Sequence, residues 1–245
     1  MPFKMINDKW LTENLGKYCF KLQFEGKHSN TDLSKLSELI EQYSRKEFLV
    51  YSKIFTDNIT TINLLERVGF NLIDTNVQYK KKSSGLIKEQ FNSENVRFSK
   101  PSDQESIVSL ARESFFYSRF HIDPEISRED AKSIKAEWVK NYFHGSRGNY
   151  MVVSLVNETI AGFLLLLTNK ENLVIDLIAV DAKFKRQGLA LSMIQFANEK
   201  IPHKQYLVGT QIGNVPSIRL YEKMGFIFSG SEYVFHYHHT LNTRK

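Results

Sequence analysis

The stretch Ile178-Ala-Val-Asp-Ala-Lys-Phe-Lys-Arg-Gln-Gly-Leu-Ala190 decides how this chain is read. It opens at the end of Leu173 to Val180, a segment apolar on both faces except for Asp176, which is the pattern of a central strand. It closes at Gly188, from which a helix is predicted to run to Lys200. A loop of little side-chain bulk feeding a helix start leaves several backbone N–H groups free, and the helix dipole adds positive potential there. Such a turn suits a pyrophosphate, with Lys183, Lys185 and Arg186 adding charge at its rim, although it is also an ordinary strand-to-helix connection.

Upstream, Asn95 to Ser99 reads as an edge strand, Asp103 to Ser114 as a helix, and Ser127 or Arg128 to Phe143 as a second helix ended near Gly145. Tyr150 to Leu155 and Thr159 to Thr168 read as a hairpin turning at Asn157-Glu158. Downstream, a strand at Gln205 to Thr210 leads into Asn214-Val-Pro-Ser-Ile-Arg-Leu-Tyr-Glu-Lys-Met-Gly-Phe226, and a β-rich segment follows from Ile227 to His239.

That last helix has a counterpart far upstream. Asn58-Ile-Thr-Thr-Ile-Asn-Leu-Leu-Glu-Arg-Val-Gly-Phe70 repeats its Asn, its Ile and Leu, its Glu followed by a basic residue, and its Gly-Phe. In both copies Asn is a good N-cap and Gly falls where a left-handed C-cap residue is wanted. A strand-like segment precedes each copy and another follows, Phe48 to Ile54 and Asn71 to Tyr79 in the first half, so one unit occurs twice. Lys80-Lys-Lys-Ser-Ser-Gly85 is expected to lead out of the first half. The predicted organisation is an N-terminal domain at 1–85, a linker at 86–94 and a second domain at 95–245.

At 245 residues, 42% hydrophobic and 24% charged, the chain can bury a core without disulfides. Its one cysteine, Cys19, excludes an intramolecular disulfide and any multi-cysteine zinc site, and points to a reducing, cytoplasmic setting. The N-terminus does not read as a secretion signal, and the longest apolar run, Ile160 to Leu167, falls short of the roughly 20 residues a membrane span takes. The formal charge of +6 comes from Lys and Arg residues interleaved with acids, which suits a small anionic ligand better than nucleic acid.

In element order and in residues the second half resembles the GNAT acyltransferases, an α/β (α+β) fold with a mixed central sheet flanked by helices. Ile178 to Ala190 looks like that superfamily's strand, loop and R/Q-x-x-G-x-G/A signature, with Lys185 where Arg or Gln is preferred. The resemblance implies that Ile178, Ala179, Val180, Arg186, Gln187, Gly188, Leu189, Ala190 and Asn214 bind acetyl-CoA or another acyl-CoA, and that no metal is needed. It also implies that Tyr221 is the general acid that protonates the leaving thiolate; as a residue alone, Tyr221 is equally a core aromatic on a helix face. The first copy has Leu65 in its place and no loop like that at Gly188, so the first half is expected to be a degenerate, partial copy. Asp176 is the only acid deep in the predicted sheet, expected to carry a raised pKa and to serve as base, or else to anchor structure.

Three further segments resemble the dTDP-fucosamine N-acetyltransferases, which acylate a 4-amino-6-deoxy sugar nucleotide in bacterial surface-glycan assembly. They are Tyr51 to Ile54, Ser118-Arg-Phe-His121 with Asp123-Pro124, Trp138 and Asn141, and Val208 to Asn214. The resemblance implies a dTDP-amino sugar acceptor held by Arg119, Phe120, His121 and Gln211, with Phe116 and Tyr117 nearby, and a possible homodimer. Arg119 would pair with the diphosphate, or else form a surface ion pair. Another amine (a protein N-terminus, a polyamine or an antibiotic), a longer donor such as hydroxybutanoyl-CoA, and a CoA-binding module without activity stay open. His236 and His238 alternate onto one face, but the sequence shows no third metal ligand beside them.

Overall fold

In the computed structural model, which describes residues 3–25, 32–85 and 95–241, the chain runs β1 (Phe3–Asn7), α1 (Lys9–Leu15), β2 (Tyr18–Phe24), α2 (Asp32–Glu41), β3 (Phe48–Phe55), α3 (Ile59–Val68) and β4 (Asn71–Lys82). The expected linker, 86–94, lies outside the described residues. Beyond it come β5 (Val96–Phe98), α4 (Gln104–Ser114), α5 (Arg119–Ile122), α6 (Arg128–Phe143), β6 (Tyr150–Val156), β7 (Thr159–Asn169) and β8 (Asn172–Val180). The order ends with α7 (Leu189–Lys200), β9 (Gln205–Gln211), α8 (Val215–Lys223) and β10 (Ile227–His239). No helix among the described residues is long and apolar enough to cross a membrane.

The two repeat helices match down to single hydrogen bonds. The side chain of Asn58 accepts from Thr61 N at 3.2 Å, and that of Asn214 accepts from Ser217 N at 3.4 Å. At the other ends Gly69 and Gly225 hold φ of 97° and 76°, a left-handed conformation that glycine adopts without a Cβ penalty. The next residue then turns back identically, Phe70 N to Leu65 O at 3.0 Å and Phe226 N to Tyr221 O at 2.9 Å.

The strands around these helices are exchanged. All ten described strands form one sheet in the order β1-β2-β3-β10-β4-β9-β8-β7-β6-β5. β10, from the end of the second half, lies between β3 and β4, while β4, from the first half, pairs antiparallel with β9. The cores follow the strands: Val77 and Tyr79 of β4 pack with Tyr221, Met224 and Phe226, and Phe235 of β10 packs with Phe48, Val50 and Leu65.

One expectation is corrected here. Lys80, Lys81 and Lys82 belong to β4, paired with Leu207, Tyr206 and Gln205, and do not lead out of the sheet. Lysine carries an apolar stem that lies along a sheet while its ammonium group finds a polar partner. Lys81 is 9% exposed, and its Nζ donates to Gly225 O at 3.2 Å, at the C-terminal end of α8.

Candidate active site

The site begins at an irregularity in β8. Leu177 pairs with Leu165 and Ile175 with Leu166, so Asp176 has no partner on β7 and forms a bulge. On its other edge β8 runs parallel to β9, but pairing stops at Ile175 and Val208 although the strands continue to Val180 and Gln211. The β9-facing backbone groups of β8 beyond Ile175 therefore lack a strand partner.

A cavity of about 570 Å³ occupies this opening. Ile178, Ala179 and Val180 of β8, Gln211 at the end of β9 and Asn214 after it line the cavity, together with Lys185, Arg186, Gly188, Leu189 and Ala190 at the entry to α7. Arg186 and Gly188 hold φ of 64° and 79°, and Gly188 serves as N-cap without a side-chain cap, so the first amides of α7 meet no capping oxygen. α8 contributes Pro216, Ser217, Leu220, Lys223 and Met224, and the α4–α5 connection contributes Ser114 to Ser118. Lys185, Arg186 and Lys223 thus face the cavity, and no carboxylate is among its described lining residues.

Of the residues singled out from sequence, Ile178, Ala179, Val180, Arg186, Gly188, Leu189, Ala190, Asn214 and Gln211 share this cavity, and Gln187 is not in its wall. Tyr221 stands one turn from Ser217 and next to Leu220, with its ring 2% exposed and packed on Phe226 and Tyr79 at centroid distances of 5.4 and 6.3 Å. Burial pushes its phenol pKa up.

Tyr221 lies behind the wall rather than in it, and the remaining candidates also lie outside the cavity wall. Asp176 accepts from Trp138 Nε1 and Tyr142 Oη, both at 2.8 Å, and from Arg147 Nε at 2.7 Å and Nη2 at 2.9 Å. Burial works to raise its pKa, but the Arg147 ion pair and the two further hydrogen bonds outweigh it and hold the carboxyl below the usual range. The expected raised value is overturned, because the partners come from α6 and the loop after it.

The sequence resemblance assigns Arg119 to a diphosphate, and the structure gives it protein partners. Its guanidinium lies 4.0 Å from the ring centroid of Tyr51 and 4.3 Å from that of Phe120, which is itself 3% exposed, and contacts His236 Nε2 at 2.8 Å. His236 reaches on to Asp123, to which His238 Nε2 is bonded at 2.8 Å, and Lys17 Nζ lies 3.4 Å from His238 Nδ1. Asp123 is thus the third group that the sequence did not place beside the histidine pair: ligand atoms of Asp123, His236 and His238 lie within 4.8 Å of one another. A carboxylate accepting from both rings leaves each outer nitrogen to a cation, a fully used hydrogen-bond chain.

His121 Nδ1 lies 2.6 Å from Ser118 Oγ, and burial together with Lys135, Arg128 and Lys132 lowers its pKa to about 4. Ser118 and the α8 residues Leu220, Lys223 and Met224 were missed as wall residues. The helical spacing of Pro216, Leu220 and Lys223 was the signal available for the latter.

The comparisons with known proteins bear on this geometry. Residues 105–226 match the acetyltransferase (GNAT) family. The spore coat polysaccharide biosynthesis protein SpsD of Bacillus subtilis (strain 168) is 38% identical over 141 residues, 56% of this chain and 48% of that protein. The match thus spans about half the length of that curated relative. Among solved structures, a GCN5-related N-acetyltransferase from Sphaerobacter thermophilus superposes with a TM-score of 0.63 at 12% identity, over 98% of this chain and 76% of that one. A GNAT-family acetyltransferase from Colwellia psychrerythraea gives 0.58 at 10%, over 98% and 100%. A tandem GNAT protein from the clavulanic acid biosynthesis pathway gives 0.58 at 10%, over 91% and 76%. At these identities the structures speak for the fold alone, a GNAT fold, and the match to the acetyltransferase (GNAT) family lies over residues 105–226 of it.

Proposed function

We propose that this protein is an acyl-CoA-dependent N-acyltransferase whose acceptor is the amino group of a sugar nucleotide, a dTDP-amino-6-deoxyhexose, with acetyl-CoA as donor. The observation that carries the reading is the opening between β8 and β9, with the bare amides of α7 at one end. An extended amide-bearing arm can bond to the unpaired edge of β8 much as a peptide adds to a sheet edge. The amides around Gly188, with Lys185 and Arg186, suit the pyrophosphate at the end of that arm. As the amine attacks the thioester carbon, the C–N bond forms, the C–S bond breaks, and Tyr221 gives its proton to the departing sulfur. A phenol whose pKa burial raises stays protonated until that moment.

Two observations favour a sugar. SpsD is named for polysaccharide biosynthesis, and Phe116 and Tyr117, 59% and 43% exposed, offer ring faces at the cavity wall. In this reading residues 95–245 carry the chemistry. Residues 1–85 are a degenerate copy, with buried Leu65 where the second copy has Tyr221.

The test is thiol release from acetyl-CoA and from hydroxybutanoyl-CoA, each offered with dTDP-3-amino- and dTDP-4-amino-6-deoxyhexoses. Turnover on one of these sugars is the expected result. Silence with all of them, while spermidine or a peptide N-terminus is acylated, rejects the sugar-nucleotide acceptor.

A further inference from the structure

Ser118 precedes the short helix α5, at the position where a serine hydroxyl ordinarily accepts a backbone N–H of the first turn. Here it makes no such bond. Its Oγ lies instead 2.6 Å from Nδ1 of His121. Ser118 is 6% exposed and stands among the residues that line the cavity of the proposed acyl-CoA site. On the far side of the ring, Nε2 of His121 is buried with no hydrogen-bond partner. A buried polar atom left unpaired disfavours folding and calls for a reason, of which a catalytic role is one.

We infer that Ser118 and His121 form a proton relay on the acceptor side of the cavity, the Ser118 hydroxyl taking a proton from the attacking nitrogen as its own proton passes to His121 Nδ1. The inference rests on the acyl-transfer reading above and supplies the base that Asp176, tied to Arg147, does not. The nitrogen lone pair makes the C–N bond, and the C–S electrons leave on sulfur, which Tyr221 protonates. The surplus proton on nitrogen crosses Ser118 to His121, and exchange with water resets the imidazolium and the phenolate. For Nδ1 to accept, the ring hydrogen must sit on Nε2, the nitrogen that has no acceptor beside it.

The surroundings keep the imidazole neutral. Burial first, then Lys135, Arg128 and Lys132 of α6, disfavour its charged form. Such a ring is a weak base, but it has only to relieve the protonated nitrogen of the tetrahedral adduct, which is far more acidic than a free ammonium group. Ser118 is the catalytic residue of the pair, and His121 acts through it as a positioning residue and proton store.

The experiment measures kcat across pH, with saturating acetyl-CoA and the best acceptor among the dTDP-amino sugars, spermidine and a peptide N-terminus. Ser118→Ala and His121→Gln should each lower kcat by about 10²-fold near neutrality with KM for acetyl-CoA unchanged, and Ser118→Thr should restore most of the rate. Beyond the limb set by the acceptor's own ammonium group, which wild type and variants share, wild-type kcat should hold on acidification until His121 protonates near its pKa of about 4. In His121→Gln it should climb with pH throughout, as hydroxide takes over. Titration calorimetry with acetyl-CoA reveals a variant that has merely unfolded; Ser118→Ala, lacking a single oxygen, then carries the comparison. Equal rates and superposable profiles for wild type and variants overturn the relay and leave acyl transfer standing. A wild type that binds acetyl-CoA but acylates none of these amines overturns the relay together with the reading it rests on.

Discussion

The ring of Tyr79 lies 6.3 Å from that of Tyr221, centroid to centroid, although Tyr79 sits on a strand that the first half of the chain lends to the second. Its hydroxyl reaches Glu222 at 3.4 Å, so it backs α8 at two adjoining residues. Tyr79→Ala should therefore cost about 3–5 kcal/mol of stability by urea unfolding, the range for emptying a buried aromatic site, and should lower turnover as well. A variant that loses stability yet keeps its full rate would mean that Tyr221 needs no backing from β4.

Tyr221→Phe keeps the ring that packs on Tyr79 and Phe226 and removes only the hydroxyl proposed as proton donor. Turnover should fall roughly 10²-fold with acetyl-CoA affinity nearly unchanged, as thiol-release kinetics and calorimetry would show. An unaltered rate removes Tyr221 from the mechanism.

Gly188→Ala places a Cβ in open space but at φ +79°, where an L side chain is strained by about 1–2 kcal/mol. The loop should relax and its amides lose their aim. Acetyl-CoA dissociation constants should rise several-fold with thermal stability little changed.

Asp176 has its folded pKa lowered, so its contribution to stability is complete above about pH 4 and fades as pH falls through the folded value. Asp176→Asn leaves Arg147, 35% exposed, without its partner and should cost on the order of 2–3 kcal/mol, less than for a fully buried pair. Unfolding midpoints below pH 4 should drop less steeply in the variant than in the wild type. Parallel drops would contradict the assignment.

His236 and His121 titrate in the opposite chemical sense, with a similar outcome. In the folded chain burial holds both near a pKa of about 4. The unfolded chain takes up their protons from about pH 6.5. Between these limits the unfolded state binds more protons, so stability should decline as pH falls from about 6.5 to 4. Thermal midpoints at pH 7, 5.5 and 4.5 check this, and His121→Gln should flatten part of the slope.

The repeat helices and the Gly188 loop were legible in sequence because their signals are local: an Asn at one end, a Gly-Phe at the other, a glycine at a helix start. The exchange of strands was not, since pairing Val77 with Thr210 or His236 with Tyr51 depends on contacts that no window of sequence contains. Lys80 to Lys82 misled for a related reason, their charge hiding stems that lie along a neighbouring strand. The sequence offers Asp176 as a base or structural anchor and Arg119 as a diphosphate partner or surface ion pair, and in the fold their partners decide their character. Arg147 and Trp138 hold the first, and His236 meets the second from the far end of the chain.

The position of β10 sets an order of events during synthesis. Until residues 227–239 emerge from the ribosome, β3 and β4 each present an open edge, and the apolar side chains around Phe48, Val50 and Leu65 lack the cover of Phe235. The nascent first half is thus a sticky, unfinished sheet until β10 is made, which makes truncation before residue 227 and slow elongation through 86–226 the circumstances in which this chain is most prone to aggregate.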